Sequence, residues 1–179
     1  IAVFGHDHRL ADILAFLALQ PGPVSRPRLM ALLWPDSDEG RAAANLRHTL
    51  WNLRRRLELP GGAELVVADR AAVRFLPGPG CRVDVHAFLE LCARVAPLDA
   101  VPRAGLAPLL AAASLYRGEL LEGLLVDDAP ELEEWLLAER ERLRLRAVAT
   151  LDRLVELTRP HDLATALRLA QQAARLDPW

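Results

Sequence analysis

The residues best placed to do chemistry lie between Arg41 and Arg56, and their types suit recognition of an anionic, hydrogen-bonding partner. At about 100° per residue, Leu46, Leu50, Leu53 and Leu57 fall on one narrow stripe, an apolar seam for a core. Arg41, Ala44, His48, Trp51, Asn52 and Arg55 fall opposite it; Arg47 and Arg54 flank one side, Asn45 and Arg56 the other. No acid appears on this face until Glu58, whereas a merely solvated helix usually mixes signs for pairing one turn apart. Arg forks onto guanine edges or phosphates, Asn reads adenine, and a major groove about 12 Å wide admits one such helix. The plainer alternative is a solvated arginine-rich face in a chain with no Lys, with Trp51 packed on a neighbour.

Other chemistry is thin. His6-Asp7-His8 offers two histidines in a short loop without a third ligand, a weak basis for a metal site. Cys81 and Cys92 have neither CxxC spacing nor a His pair, so inert thiols are expected. A phosphate-cradling glycine loop, a Lys nucleophile and a Ser/His/Asp arrangement are all missing, so neither catalysis nor a cofactor is expected. The acidic run Asp127-Asp128 to Glu131-Glu133-Glu134 reads as a helix start favoured by the dipole, with Asp128 and Glu131 spaced as a capping box.

The elements that must position the basic helix can be read around it. His8–Gln20 has apolar residues at mostly helical spacing and is closed by Pro21-Gly22-Pro23; Ile1–Phe4 suits a short strand. Ser25 caps a short helix through Trp34, with Pro27 in its first turn. A third helix follows Asp36-Ser37-Asp38, runs to about Glu58 and stops at Pro60-Gly61-Gly62. Leu65–Ala68 and Val73–Leu76 read as a β-hairpin about Asp69–Ala72, with Arg70 at its tip and Arg74 facing outward. Short helix, turn, long basic helix, hairpin is the order of a winged helix-turn-helix, in which the hairpin is a wing able to meet the DNA backbone or minor groove. Pro77-Gly78-Pro79-Gly80 separates a mixed region, residues 1–80, from an almost wholly helical one, residues 81–179. Helices are expected there at Val85–Val95, Arg103–Tyr116, Ala129–Leu157 and Asp162–Leu176.

Composition agrees with a mainly α protein: 52% of residues are hydrophobic, led by Leu and Ala. The net charge is −2, and residues 1–80 carry only ten Arg against eight acids, so the placement of the Arg, not their number, points to nucleic acid. Two free thiols, no signal-like start and no run of about 18 apolar residues lead to the expectation of a cytoplasmic protein without a membrane span. The absence of an initiator Met and the end at Asp177-Pro178-Trp179, directly after a helix, suggest a piece of a longer protein.

Several spaced segments resemble the SARP family of bacterial transcriptional activators. In the first half these are Leu14-Ala15-Phe16-Leu17-Ala18-Leu19, Val24-Ser25-Arg26, Leu32-Leu33-Trp34-Pro35, Asn45-Leu46-Arg47 and Leu53-Arg54-Arg55-Arg56-Leu57. In the second half they are Val83-Asp84-Val85-His86-Ala87-Phe88, Leu115-Tyr116-Arg117-Gly118-Glu119-Leu120-Leu121 and Glu134-Trp135-Leu136-Leu137-Ala138-Glu139-Arg140, similar to the bacterial transcriptional activator domain. The resemblance covers nearly the whole chain. It implies a response-regulator-type winged helix that binds promoter DNA, commonly at direct repeats, and recruits RNA polymerase. It also implies a recognition helix at Asn45–Arg56, with Arg47, His48, Asn52, Arg54 and Arg55 facing DNA. The chain departs from the family in having only Ile1–Phe4 before the first helix, where several strands are usual, and in carrying Trp51 at a position of smaller residues.

Ala166, Ala170, Ala173 and Pro178 match the second helix of a tetratricopeptide repeat, with Leu154 and Leu157 on the helix before it. Such repeats stack, and they offer a surface for a partner or for self-association. The expected protein is therefore a DNA-binding regulator with a TPR-like helical-repeat domain. The alternatives are a helical scaffold whose winged helix binds protein, and a regulator switched by a small ligand in its helical half.

Overall fold

The computed structural model describes residues 8–57, 64–78, 80–95, 106–124, 126 and 128–177. The expected strand Ile1–Phe4, His6-Asp7, Glu58, the break at Pro60-Gly61-Gly62, the start of the helix expected from Arg103, Asp127 and the terminal Pro178-Trp179 lie outside the described residues. The described residues form seven helices and one small three-stranded antiparallel sheet, so the fold is mainly helical. The chain divides into two compact units: Ile1–Val83 with Gly123–Leu136, and Asp84–Glu122 with Leu137–Trp179. The first crossing lies close to the Pro-Gly stretch expected to part the halves; the return of a second segment to the first unit is additional.

In the first unit the order is α1 (His8–Leu19), β1 (Val24–Ser25), α2 (Arg26–Leu33), α3 (Glu39–Arg56), β2 (Val66–Ala68) and β3 (Ala72–Phe75). Local chemistry sets the helix limits. Ser25 accepts a hydrogen bond from the Arg28 N–H at 3.3 Å, and Pro27 sits in the first turn, where a missing N–H costs nothing. Trp34 donates its N–H to the Met30 carbonyl, and Pro35 prevents a further turn. Asp38 caps α3 by accepting from the Arg41 N–H at 3.0 Å.

The sheet has the order β1-β3-β2. Val24 pairs with Val73 and Ser25 with Ala72; on the other side of β3, Val66 pairs with Phe75 and Val67 with Arg74. The two-residue β1, just ahead of α2, is too short to leave an alternation in the sequence. It exists because β3 offers its free edge. Leu10, Ile13 and Leu17 of α1, Leu29, Leu32 and Leu33 of α2, Leu46 and Leu53 of α3, and Val66 and Val73 of the sheet are all buried. Each such side chain contributes about 1.5–3 kcal/mol of burial, so this apolar set fixes α3 with one face down.

The returning segment Gly123–Leu136 adds buried Leu124, Ala129, Leu132 and Leu136. Trp135 meets Phe16 edge to face at 4.9 Å, and Glu131 pairs with Arg28 of α2.

The second unit contains α4 (Asp84–Val95), α5 (Leu106–Leu115), α6 (Pro130–Thr158) from Leu137 onward, and α7 (Leu163–Leu176). The expected capping box at Asp128 is not how α6 begins. Asp128 has φ 52°, and the Ala129 carbonyl accepts from the Leu132 and Glu133 N–H groups, so Ala129 holds the cap position. Asp162, by contrast, caps α7 through the Thr165 N–H at 3.0 Å. One apolar cluster joins Leu109, Leu151, Leu154, Leu169 and Ala173; another joins Phe88, Ala112, Leu143 and Ala147. Arg140 closes the preceding turn by donating to the Leu120 and Leu121 carbonyls at 2.9 and 3.0 Å.

Candidate nucleic-acid interface

α3 is an 18-residue helix with five arginines and one glutamate, Glu39, in its first turn. Its inner arc is buried: Ala42, Leu46, Thr49, Leu50 and Leu53. Arg41, Arg47, His48, Trp51 and Arg55 are exposed, while Asn45, Asn52 and Arg54 are half-buried. The stripe expected from the sequence is buried at Leu46, Leu50 and Leu53, whereas Leu57, expected on it, and Asn52, expected opposite, are both half-buried. No described acid forms an ion pair with Arg41, Arg47 or Arg55.

The outer face has internal order. Asn52 Nδ2 lies 2.9 Å from His48 Nε2, one turn away. The His48 and Trp51 rings are near-parallel at 27°, with centroids 6.4 Å apart. The Arg55 guanidinium sits 4.9 Å from the centre of the Trp51 ring, a cation–π pair. Arg54 is different. Its Nε donates to the Val66 carbonyl at 3.0 Å and ties α3 to β2. Part of its hydrogen-bonding capacity therefore serves the fold, a role that the helical wheel could not reveal.

The hairpin turn is set by Asp69. Its carboxylate accepts from the Ala71 and Ala72 N–H groups at 2.7 and 2.8 Å. The bonds from Ala72 and Ala71 hold its carboxyl below the usual carboxylate range, helped by the charges of Arg26 and Arg74. Arg70 is exposed in the turn, and Arg74 is exposed on β3. Arg26 joins the turn to α2: its N–H donates to the Ala71 carbonyl at 2.9 Å and its Nε to the Asp69 carbonyl at 2.8 Å.

Between the start of α2, α3 and this turn lies an open groove of about 660 Å³, lined by Arg26, Met30, Ala43, Arg47, Asp69 and Arg70 among others. Arg26 is the residue that sequence reasoning missed. Its only sequence signal is a cation directly after the Ser25 cap, and its relation to Arg47 and Arg70 depends on the β1–β3 pairing. The expected residues thus fall into two sets. Asn45, His48, Trp51, Asn52 and Arg55, with Arg41, share the outer arc of α3; Arg47 and Arg70 share the groove with Arg26, and Arg74 stands on the adjoining strand.

Among the described residues no group of three or more His, Cys, Asp or Glu could hold a metal ion, and no helix is long and apolar enough to cross a membrane. Cys92 Sγ lies 3.3 Å from Thr150 Oγ1, and both cysteines are free thiols. Comparison with protein-family models and with curated proteins finds no match to this chain.

Proposed function

We propose that this chain is a sequence-specific DNA-binding transcriptional regulator of the cytoplasm, an activator resembling the SARP type. In this reading α2 and α3 form the helix-turn-helix, the β2–β3 hairpin is the wing, and the second unit is a TPR-like activator domain. The observation that carries it is the outer arc of α3. An exposed set of Arg, Asn and His side chains stands on a helix whose opposite face is buried, and no described acid neutralises Arg41, Arg47 or Arg55.

Arg47 and Arg55 are the best candidates to read guanine edges, and Asn52 to read adenine. Arg70 and Arg74 are placed to meet phosphates beside them, and Arg26 extends that row into the groove. Support also comes from β1, the strand directly before α2, which pairs with β3 and so ties the hairpin to the start of that helix. Binding at direct promoter repeats and recruitment of RNA polymerase come from the resemblance, with self-association on DNA as a further possibility of that arrangement.

A second reading, a helical scaffold that binds protein, is favoured by Leu163 and Leu167 on α7. They are 72% and 59% exposed and lie one turn apart. Selection of duplexes from a random pool separates the two. Enrichment of one motif supports the regulator; no enrichment supports the scaffold.

A further inference from the structure

Trp51 is 56% exposed in the middle of the cationic arc of α3, although the buried face of that helix is complete without it. A single exposed apolar side chain is ordinary on a protein surface; Trp51 is set apart by the Arg55 and His48 side chains ordered against its ring. Its surroundings constrain what it can meet. Arg55 covers one part of the ring at 4.9 Å, and His48 lies near-parallel beside it. The cations Arg47 and Arg55 nearby, with no described acid paired to them, favour a polyanion over an apolar protein surface. Within a major groove the apolar group on offer is the C5-methyl of thymine. Among the described residues the Arg55 N–H groups make no hydrogen bond or ion pair, so they are available to guanine O6 and N7 while the guanidinium rests 4.9 Å from the indole centre.

From this geometry we infer that Trp51 determines specificity by packing its indole on a pyrimidine C5-methyl group, beside a guanine read by Arg55. This rests on the DNA-binding reading above and names the bases that the outer arc selects. 5-Methylcytosine carries the same methyl group in the same groove and is recognised in the same way.

The test uses duplexes selected from a random pool by the full chain, synthesised with thymidine and again with deoxyuridine, which removes only the methyl. Wild-type protein loses roughly three- to fivefold in affinity on the uracil duplex, the scale of one buried methyl group. Trp51→Ala binds the two duplexes alike and keeps the thermal midpoint of the wild type, since the side chain it removes is mostly in solvent. Trp51→Phe keeps most of the discrimination. Equal wild-type affinity for both duplexes overturns the inference, as does Trp51→Ala retaining the full preference for thymine. Failure of the wild type to bind any duplex overturns the DNA-binding reading itself, and this inference with it.

Discussion

α3 and α6 carry five arginines each, yet the two helices treat them differently. On α6, Arg142 pairs with Glu139, Arg144 with Glu141 and Arg153 with Glu156, each three residues apart. Arg144 also reaches Asp177 at 3.2 Å and the Leu176 carbonyl at 2.9 Å, binding the end of α7. On α3, Arg41, Arg47 and Arg55 have no described acid to pair with, and one carboxylate, Glu39, stands against five cations. Exposed pairs of the α6 kind contribute about 0.3–0.5 kcal/mol each. Leaving like charges together on α3 forgoes that and adds mild repulsion, which a phosphate backbone would relieve. The number of arginines therefore does not distinguish the two helices. Their pairing does.

Replacing Arg47 and Arg55 together by Ala should break the α3 side of this contrast with the largest effect. Two contacts of roughly 1–3 kcal/mol each predict a loss of affinity for a selected duplex on the order of a hundredfold or more. The fold, followed by circular dichroism, should be unchanged. The matched change on α6, Arg142→Ala with Arg153→Ala, should leave DNA affinity where it was. Equal losses from the two double variants would erase the distinction.

A smaller perturbation makes α3 resemble α6. Ala44→Glu sets an exposed carboxylate one turn from Arg41, Arg47 and His48, and it should weaken duplex binding roughly tenfold, the weight of one lost contact. No change in a filter-binding or anisotropy titration would mean that this arc does not face DNA.

Arg54 sharpens the contrast within α3 itself. Because its Nε is bonded to the Val66 carbonyl, Arg54→Ala should lower stability by about 1 kcal/mol in a denaturant titration. Its effect on DNA affinity should be clearly below that of Arg47→Ala or Arg55→Ala. The reverse ranking would return Arg54 to the reading face.

The smallest expected effect is on acid stability. The hydrogen bond from Arg144 holds the Glu141 carboxyl below its ordinary range. A carboxyl depressed in the folded state stabilises above its unfolded pKa and loses that contribution as pH falls through the folded value. Glu141→Gln should therefore lower the thermal midpoint slightly near neutrality, and the gap from wild type should close as pH drops through the carboxylate range. A gap that is constant with pH would show that the pair contributes nothing.

Much of this was legible in the sequence, for local reasons. Ser25 and Asp38 act as caps, as expected, because each oxygen needs only an N–H within three residues. The apolar stripe of α3 follows from helical period alone, and Asp69–Ala72 is a turn because Asp bonds its own following backbone. What escaped was set by partners distant in sequence. β1 depends on an edge supplied by β3, and Arg54 on a carbonyl in β2. The segment Gly123–Leu136 joins the first unit through Trp135 on Phe16 and Glu131 on Arg28, contacts that no local spacing announces. Asp128 misled because a capping box specifies spacing but not backbone angle, and at φ 52° this residue lies outside the cap.

The most direct test of the central claim is the affinity of the full chain for a selected duplex across a salt series. If the cations of this interface, Arg26, Arg70 and Arg74 among them, displace counterions from about five phosphates, log K should fall against log salt with a slope of about −4.5. A slope close to zero would contradict the account. It would leave Arg41, Arg47 and Arg55, which have no acid partner among the described residues, without the polyanion that explains them.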